Sequence, residues 1–213
     1  PNQIIYDRSL EIEKDYEKNI FWTLKIKKAL ESNDIIPYYQ AIYNLQTNKI
    51  EKYEALMRLN DSGKIVSPFF FLDIAKKSGQ YLQLTKRMID CSFEYFKDKD
   101  FEFSINFTFQ DIANEEISNY VIEKIKELNI GNRVVFEIVE SEEIDDFNLI
   151  NGFFSTIRKL GCKIAIDDFG SGYSNFEYLI KLDADYIKID GSLIKDVLVS
   201  KGNENIITMI INF

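Results

Sequence analysis

From residue 36 onward the chain alternates between two kinds of segment. Short apolar runs with a period of two read as strands: Ile36–Tyr43, Ile50–Leu59, Glu102–Phe107, Arg133–Val139, Cys162–Asp167 and Tyr186–Asp190. They are rich in β-branched and aromatic residues, which suit a pleated surface. Longer stretches repeat apolar residues every three to four positions and predict helices over Phe21–Glu31, Pro68–Lys77, Tyr81–Lys97, Ile112–Leu128, Asp145–Leu160, Asn175–Leu182 and Ser192–Ile211. Ile130-Gly131 and Leu160-Gly161 place a glycine where a helix must turn back into a strand. Residues 1–20 are polar and charged, and read as a linker or linking helix after an upstream domain. The folded domain is therefore expected over residues 21–213.

Alternation of strand and helix argues for an α/β fold, a parallel sheet covered by helices. The first two strands are separated by Asn44–Lys49 only, too short for a crossover, so they are expected to pair antiparallel. A (β/α)₈ barrel needs eight strands and typically about 250 residues. Six strands are visible here, and the last residues lie in an apolar helix. The pattern fits a barrel truncated to about six strands, or an open doubly wound sheet; the abrupt end in a helix favours truncation.

Composition narrows the chemistry. The net charge of −9 repels nucleic acid, whose non-specific binding depends on Lys and Arg meeting phosphates, so neither DNA nor RNA is an expected partner. Histidine is absent, which removes Ser-His triads and most zinc or copper sites. A metal would have to be held by oxygen, as Mg²⁺, Mn²⁺ and Ca²⁺ are. Cys91 and Cys162 lie in apolar-periodic segments and read as buried free thiols. The N-terminus has no apolar signal core, and no apolar run is long enough to span a bilayer. The domain is expected in the cytoplasm, where any membrane tether would come from an upstream region.

Polar residues interrupt the apolar strands in an ordered way. Glu54, Leu56 and Arg58 alternate on one face of their strand. Asn106, Glu137, the pair Asp167-Asp168, and Lys188 occupy four further strands. Taken singly, a strand acid is more often a solvated edge residue, and a lone lysine a snorkelling one. Together they fit the rule that barrel chemistry collects at the carboxyl ends of the strands. Burying so many acids without a cation is costly.

With these residues the chain resembles the EAL domains, cyclic di-GMP phosphodiesterases named for the tripeptide standing here as Glu54-Ala55-Leu56. The likeness runs from about Phe21 to the end. It includes Tyr39-Gln40, Glu54-x-Leu56-x-Arg58, Ser104-x-Asn106, Glu137-x-x-Glu140-Ser141, the loop Asp167-Asp168-Phe169-Gly170-Ser171-Gly172-Tyr173-Ser174, and Lys188-x-Asp190. The resemblance implies a TIM-like barrel with an antiparallel first strand. It implies that Glu54, Asn106, Glu137 and Asp167 ligate one divalent ion, and that Asp167 and Asp168 share in a two-metal arrangement of Mg²⁺ or Mn²⁺. Lys188 would orient or help activate the attacking water, with Glu54 and Asp167 the other catalytic residues. Arg58 would clamp a phosphate oxygen, and Gln40 and Leu56 would contact cyclic di-GMP. Glu140 would brace the loop Phe169–Ser174, which couples the metal site to dimerisation in the family; a homodimer is therefore implied. The product would be linear pGpG, and Ca²⁺, accepting looser coordination, is expected to inhibit.

The chain departs from the family at three points. Ala41 follows Tyr39-Gln40 where proline is usual, and Ser171 stands for the commoner threonine, keeping its hydroxyl. A glutamate on the seventh strand and a glutamine on the eighth have no counterpart here. The natural polypeptide is thus expected to continue past Phe213, or another chain to supply these strands; the truncated chain by itself is expected to be inactive. Loss of that glutamate in the whole protein would instead give a catalytically inactive cyclic di-GMP receptor. The segment around Tyr6-Asp7 resembles the tail joining a GGDEF domain to an EAL domain, implying an upstream GGDEF or sensor domain.

Overall fold

The structure, a computed structural model, describes residues 8–139, 147–170 and 181–212. The chain divides into two units, Pro1–Tyr38 with Met57–Cys91, and Tyr39–Leu56 with Ser92–Phe213.

In the first unit a helix runs over Arg8–Glu31, so the helix expected from Phe21 begins well upstream of it. Its early turns are rich in Glu, Lys and other good helix formers, which extend a helix without apolar periodicity. Its inner face buries Ile26 and Ala29 against Ile35, Leu59, Val66, Phe71, Ala75 and Leu84. The helix stops at Asn33, whose φ of 60° lies in the left-handed region, and Arg87 donates to the carbonyls of Asn33 and Ile35 beyond it. The expected helix over Pro68–Lys77 is two pieces, a 3₁₀ turn Pro68–Phe70 capped by Ser67 and a helix Leu72–Lys77.

The sheet contains every expected strand: β1 (Ile35–Asn44), β2 (Lys49–Asp61), β4 (Glu102–Asn106), β5 (Val134–Val139), β6 (Lys163–Phe169) and β7 (Tyr186–Ile189). An unexpected short strand, β3 (Lys64–Val66), pairs antiparallel with the Leu59–Asp61 end of β2 across Ser62-Gly63. Three residues are too few to show a period. The strand order is β1-β2-β4-β5-β6-β7, and all pairs from β2·β4 to β6·β7 are parallel. β1 and β2 are hydrogen-bonded neighbours joined by four residues, which permits only an antiparallel arrangement. Among the described residues no strand closes the sheet, which fits a barrel-type sheet of fewer than eight parallel staves.

Helices connect the parallel strands. The expected helix Ile112–Leu128 is split into Phe109–Ala113 and Glu115–Leu128 by Asn114, whose side chain caps the second piece. The expected helix Ser192–Ile211 is Gly191–Lys195 followed by Lys201–Asn212. Asp145–Leu160 is observed as Phe147–Lys159, and Asn175–Leu182 falls largely outside the described residues. Arg133 ties β5 to the end of the helix Tyr81–Phe96, donating to the carbonyls of Phe96 (2.6 Å), Lys97 (2.8 Å) and Lys99. No helix among the described residues is long and apolar enough to cross a membrane.

Candidate metal centre

Alternation along each strand decides what meets at the carboxyl ends. Successive side chains point to opposite faces, so Glu54 of β2, Ser104 and Asn106 of β4, Glu137 of β5, Asp167 of β6 and Lys188 of β7 project together when the registers agree. The registers do agree: Glu54 pairs with Ser104, Asn106 with Glu137, and Glu137 with Ala165. All of these residues lie in the second unit.

Lys188 Nζ sits at the centre, 2.5 Å from Glu137 Oε2, 2.9 Å from Asp167 Oδ2 and 3.1 Å from Glu54 Oε2. Asn106 Nδ2 donates to Glu54 Oε1 at 3.3 Å. One oxygen from each of Glu54, Glu137 and Asp167 lies within 4.8 Å of the others, a spacing at which a single ion can be shared. Glu137 is buried, and burial pushes its carboxyl above the usual range; the Lys188 ammonium pulls it down and Glu54 adds to the rise. Lys188 is held above the ordinary lysine value: burial works against its charge, and the carboxylates of Glu137 and Asp167 outweigh it. Three acids face one ammonium, so two negative charges remain when all are ionised. An oxygen-rich, net-negative pocket of this kind is what a hard divalent cation requires. The three acids Glu54, Glu137 and Asp167 fit such an ion as carboxylate ligands.

Asp168 stands apart from the three-acid group. A register shift on β6 between Ile166 and Phe169 inserts it into the strand, and its φ of 55° is left-handed. Its backbone N–H donates to Asp167 Oδ1 at 2.9 Å, and its side chain is exposed. Partial burial, then the charges of Asp167 and Asp190, hold its carboxyl above the ordinary value. Phe169 is fully buried, and Gly170, at φ 97°, leaves no room for a Cβ, which would come 2.3 Å from Leu193 Cδ1. Gln40 is exposed on β1, and Leu56 is half-buried on β2. Arg58 belongs to the first unit, where it donates to the Met57 carbonyl at 2.7 Å and lies over the Tyr38 ring. Glu140 and Ser171, Gly172, Tyr173 and Ser174 lie outside the described residues.

Sequence reasoning missed a second polar layer, two residues nearer the strand starts. Glu102 of β4 forms ion pairs with Lys52 of β2 and, at 2.5 Å, with Lys163 of β6. Tyr186 of β7 completes it: its hydroxyl accepts from Lys163 at 2.8 Å and donates to Glu102 at 3.3 Å, and its ring lies 3.2 Å from Lys52 Nζ. The available signal was spacing, since Lys52, Glu102 and Tyr186 precede Glu54, Ser104 and Lys188 by two residues and Lys163 precedes Asp167 by four. Burial pushes Glu102 up, but Lys163 and Lys52 outweigh it and hold the carboxyl below its ordinary value. A depressed carboxyl contributes stability that is present above its unfolded pKa and lost as pH falls through the folded one. Glu102→Gln is therefore expected to lower stability at pH 7, and the gap from the parent should shrink as the medium is taken below the ordinary glutamate value of 4.5. Urea unfolding of both proteins across that range checks this; a gap independent of pH would remove the ionic role.

Parallel strands with acids and a lysine gathered at their carboxyl ends define an α/β barrel-type domain with an acidic cluster that could hold a cation. The chain belongs to the EAL domain family, whose model matches residues 24–213. It is 32% identical over 209 residues to the cyclic di-GMP phosphodiesterase PdeB of Shewanella oneidensis, covering 93% of this chain and 24% of that protein. It is 30% identical over 191 residues to the probable cyclic di-GMP phosphodiesterase PdeB of Escherichia coli, covering 87% of this chain and 37% of the relative. The chain thus spans from about a quarter to a little over a third of the length of these relatives. Among solved structures, an EAL domain protein from Listeria monocytogenes superposes with a TM-score of 0.80 at 27% identity, over 89% of this chain and 77% of that one.

Proposed function

We propose that this domain hydrolyses cyclic di-GMP to linear pGpG in bacterial second-messenger signalling, with Mg²⁺ or Mn²⁺ bound at the carboxyl ends of the strands. The observation that carries the reading is the convergence of Glu54, Glu137 and Asp167 on Lys188, in a chain whose relatives bear the name of that activity. Glu54, Asn106, Glu137 and Asp167 would hold one ion, and Asp168 would join Asp167 for a second. Bound divalent ions lower the pKa of a water and neutralise charge on a phosphodiester.

The chain's own residues supply orientation. Lys188 donates to all three carboxylates and so fixes their side chains before substrate arrives. Asn106 holds Glu54 from the other side. Gln40 and Leu56, on the first two strands, are the contacts proposed for the dinucleotide.

The test is hydrolysis of cyclic di-GMP by the natural-length protein alongside this chain, with Mg²⁺ or Mn²⁺, product identified chromatographically. Formation of pGpG that stops on chelation, and that excess Ca²⁺ suppresses, is the expected result. Undiminished product in chelator would remove the metal. Binding without product from either form would replace the enzyme by a receptor.

A further inference from the structure

Two layers of charge lie on one face of the sheet, and neither is neutral when its acids and lysines are ionised. In the upper layer Glu54, Glu137 and Asp167 share Lys188, so three acids meet one ammonium and the layer is negative. In the lower layer the imbalance is reversed. Glu102 divides its two oxygens between two lysines, Lys52 on Oε1 and Lys163 on Oε2, so one lysine charge is left over. Tyr186 supplies that layer with a ring and a hydroxyl. The Lys52 and Glu102 side chains are mostly buried, so water and salt screen them less than they would an exposed pair.

The layers are close. Lys52 precedes Glu54 by two residues on β2, and Lys163 precedes Asp167 by four on β6. Two residues of strand rise about 6.6 Å. Small residues fill the gap: Ala165 lies between Lys163 and Asp167, and Ser104 between Glu102 and Asn106, both buried. Lys52 and Lys163 pair with Glu102 and not with the three acids above it. Any effect they have on those acids is carried by the field alone.

From this arrangement we propose that the lower layer sets the affinity of the metal centre: the surplus charge of Lys52 and Lys163 opposes a divalent ion at Glu54, Glu137 and Asp167, and Glu102 limits that opposition. The inference rests on the reading of the three acids as a cation site. A unit charge roughly 8 Å from a divalent ion, at an effective dielectric of about 40–80, changes its binding by about five- to thirtyfold.

The test is Mn²⁺ binding to the 213-residue chain, read from the loss of the free ion's paramagnetic resonance signal. The parent is expected to bind, and Asp167→Asn to bind much more weakly, which ties the signal to the upper layer. Lys163→Met and Lys52→Met should each tighten binding by about five- to thirtyfold, and Glu102→Gln should weaken it by a similar factor. Lys163→Arg keeps the charge and should bind as the parent does. The opposite signs separate charge from structure, because loosened strands would weaken binding in every variant. Circular dichroism shows which variants are folded; if Glu102→Gln is not, the lysine variants decide alone. Binding unchanged or weakened in both lysine variants, with the parent still binding, would overturn the proposal and leave the metal reading standing. A parent that binds no Mn²⁺ would overturn both.

Discussion

Lys188→Met is expected to destabilise the cation-free protein by about 2–4 kcal/mol and to abolish turnover. The ammonium is the shared partner of Glu54, Glu137 and Asp167, and Glu137 is 2% exposed. Removing one partner of a buried ionic group costs about 3–5 kcal/mol, because the remaining charges stay in a poor solvent. The Lys188 side chain is itself 29% exposed, so water screens part of the loss and brings the expected cost down to about 2–4 kcal/mol. The sign is also set by the acids: without the lysine, three carboxylates within 4.8 Å of one another repel. A divalent ion is the natural replacement for the missing charge. Magnesium should therefore raise the stability of the variant more than that of the parent. Urea unfolding in chelator and in Mg²⁺ measures both quantities. Equal stability of variant and parent in chelator would show that the lysine does not neutralise the acids.

Gly131→Ala is expected to cost at least about 4 kcal/mol, enough to unfold a marginal domain. A Cβ at Gly131 would come 1.9 Å from the Leu160 carbonyl oxygen and 2.8 Å from its carbon. Both are backbone atoms, held by the turn that carries the helix Phe147–Lys159 into β6. Neither can move without shifting the strand that bears Asp167. Gly152 provides the contrast: it lies inside that same helix, and a Cβ there meets nothing within 4 Å. Gly152→Ala should stabilise the protein by roughly 0.5–1 kcal/mol, the ordinary helix gain. Thermal unfolding of the two variants measures the difference, and a Gly131→Ala protein as stable as its parent would contradict the packing of these turns.

The strands and the central cluster were legible in the sequence for the same reason. In Val134-Val135-Phe136-Glu137-Ile138-Val139 the apolar run marks a strand, and Glu137 inside it reads as a site only beside the polar residues of the neighbouring strands. Lys188 was legible once four other strands were seen to carry a polar residue at the same end. The lower layer was not, because Glu102 and Lys163 open their strands, where a charged residue reads as the solvated end of an element, and Lys52 follows Glu51 in a polar stretch that reads the same way. The breaks at Phe71 and Asn114 escaped notice because apolar spacing continues across them while the helix axis changes. Asn114 followed by Glu115-Glu116 did carry a capping signal that periodicity overrode. The left-handed backbone of Asp168 follows from how β6 meets β7, which no local pattern encodes.

The lower layer bears on how the sheet assembles. Hydrophobic alternation rejects a slip of one residue between neighbouring strands but tolerates a slip of two, which keeps every side chain on its own face. In the native register Lys52 stands opposite Glu102 and Glu54 opposite Ser104. Advancing β4 by two residues would set Glu102 opposite Glu54, turning an attractive neighbour into a repulsive one. Retreating by two would leave Lys52 beside Ser104 and move Glu102 off its lysine. The ion pair at the strand starts therefore proofreads the alignment that apolar residues leave ambiguous, and a sheet misaligned by two would be penalised before its acids could gather.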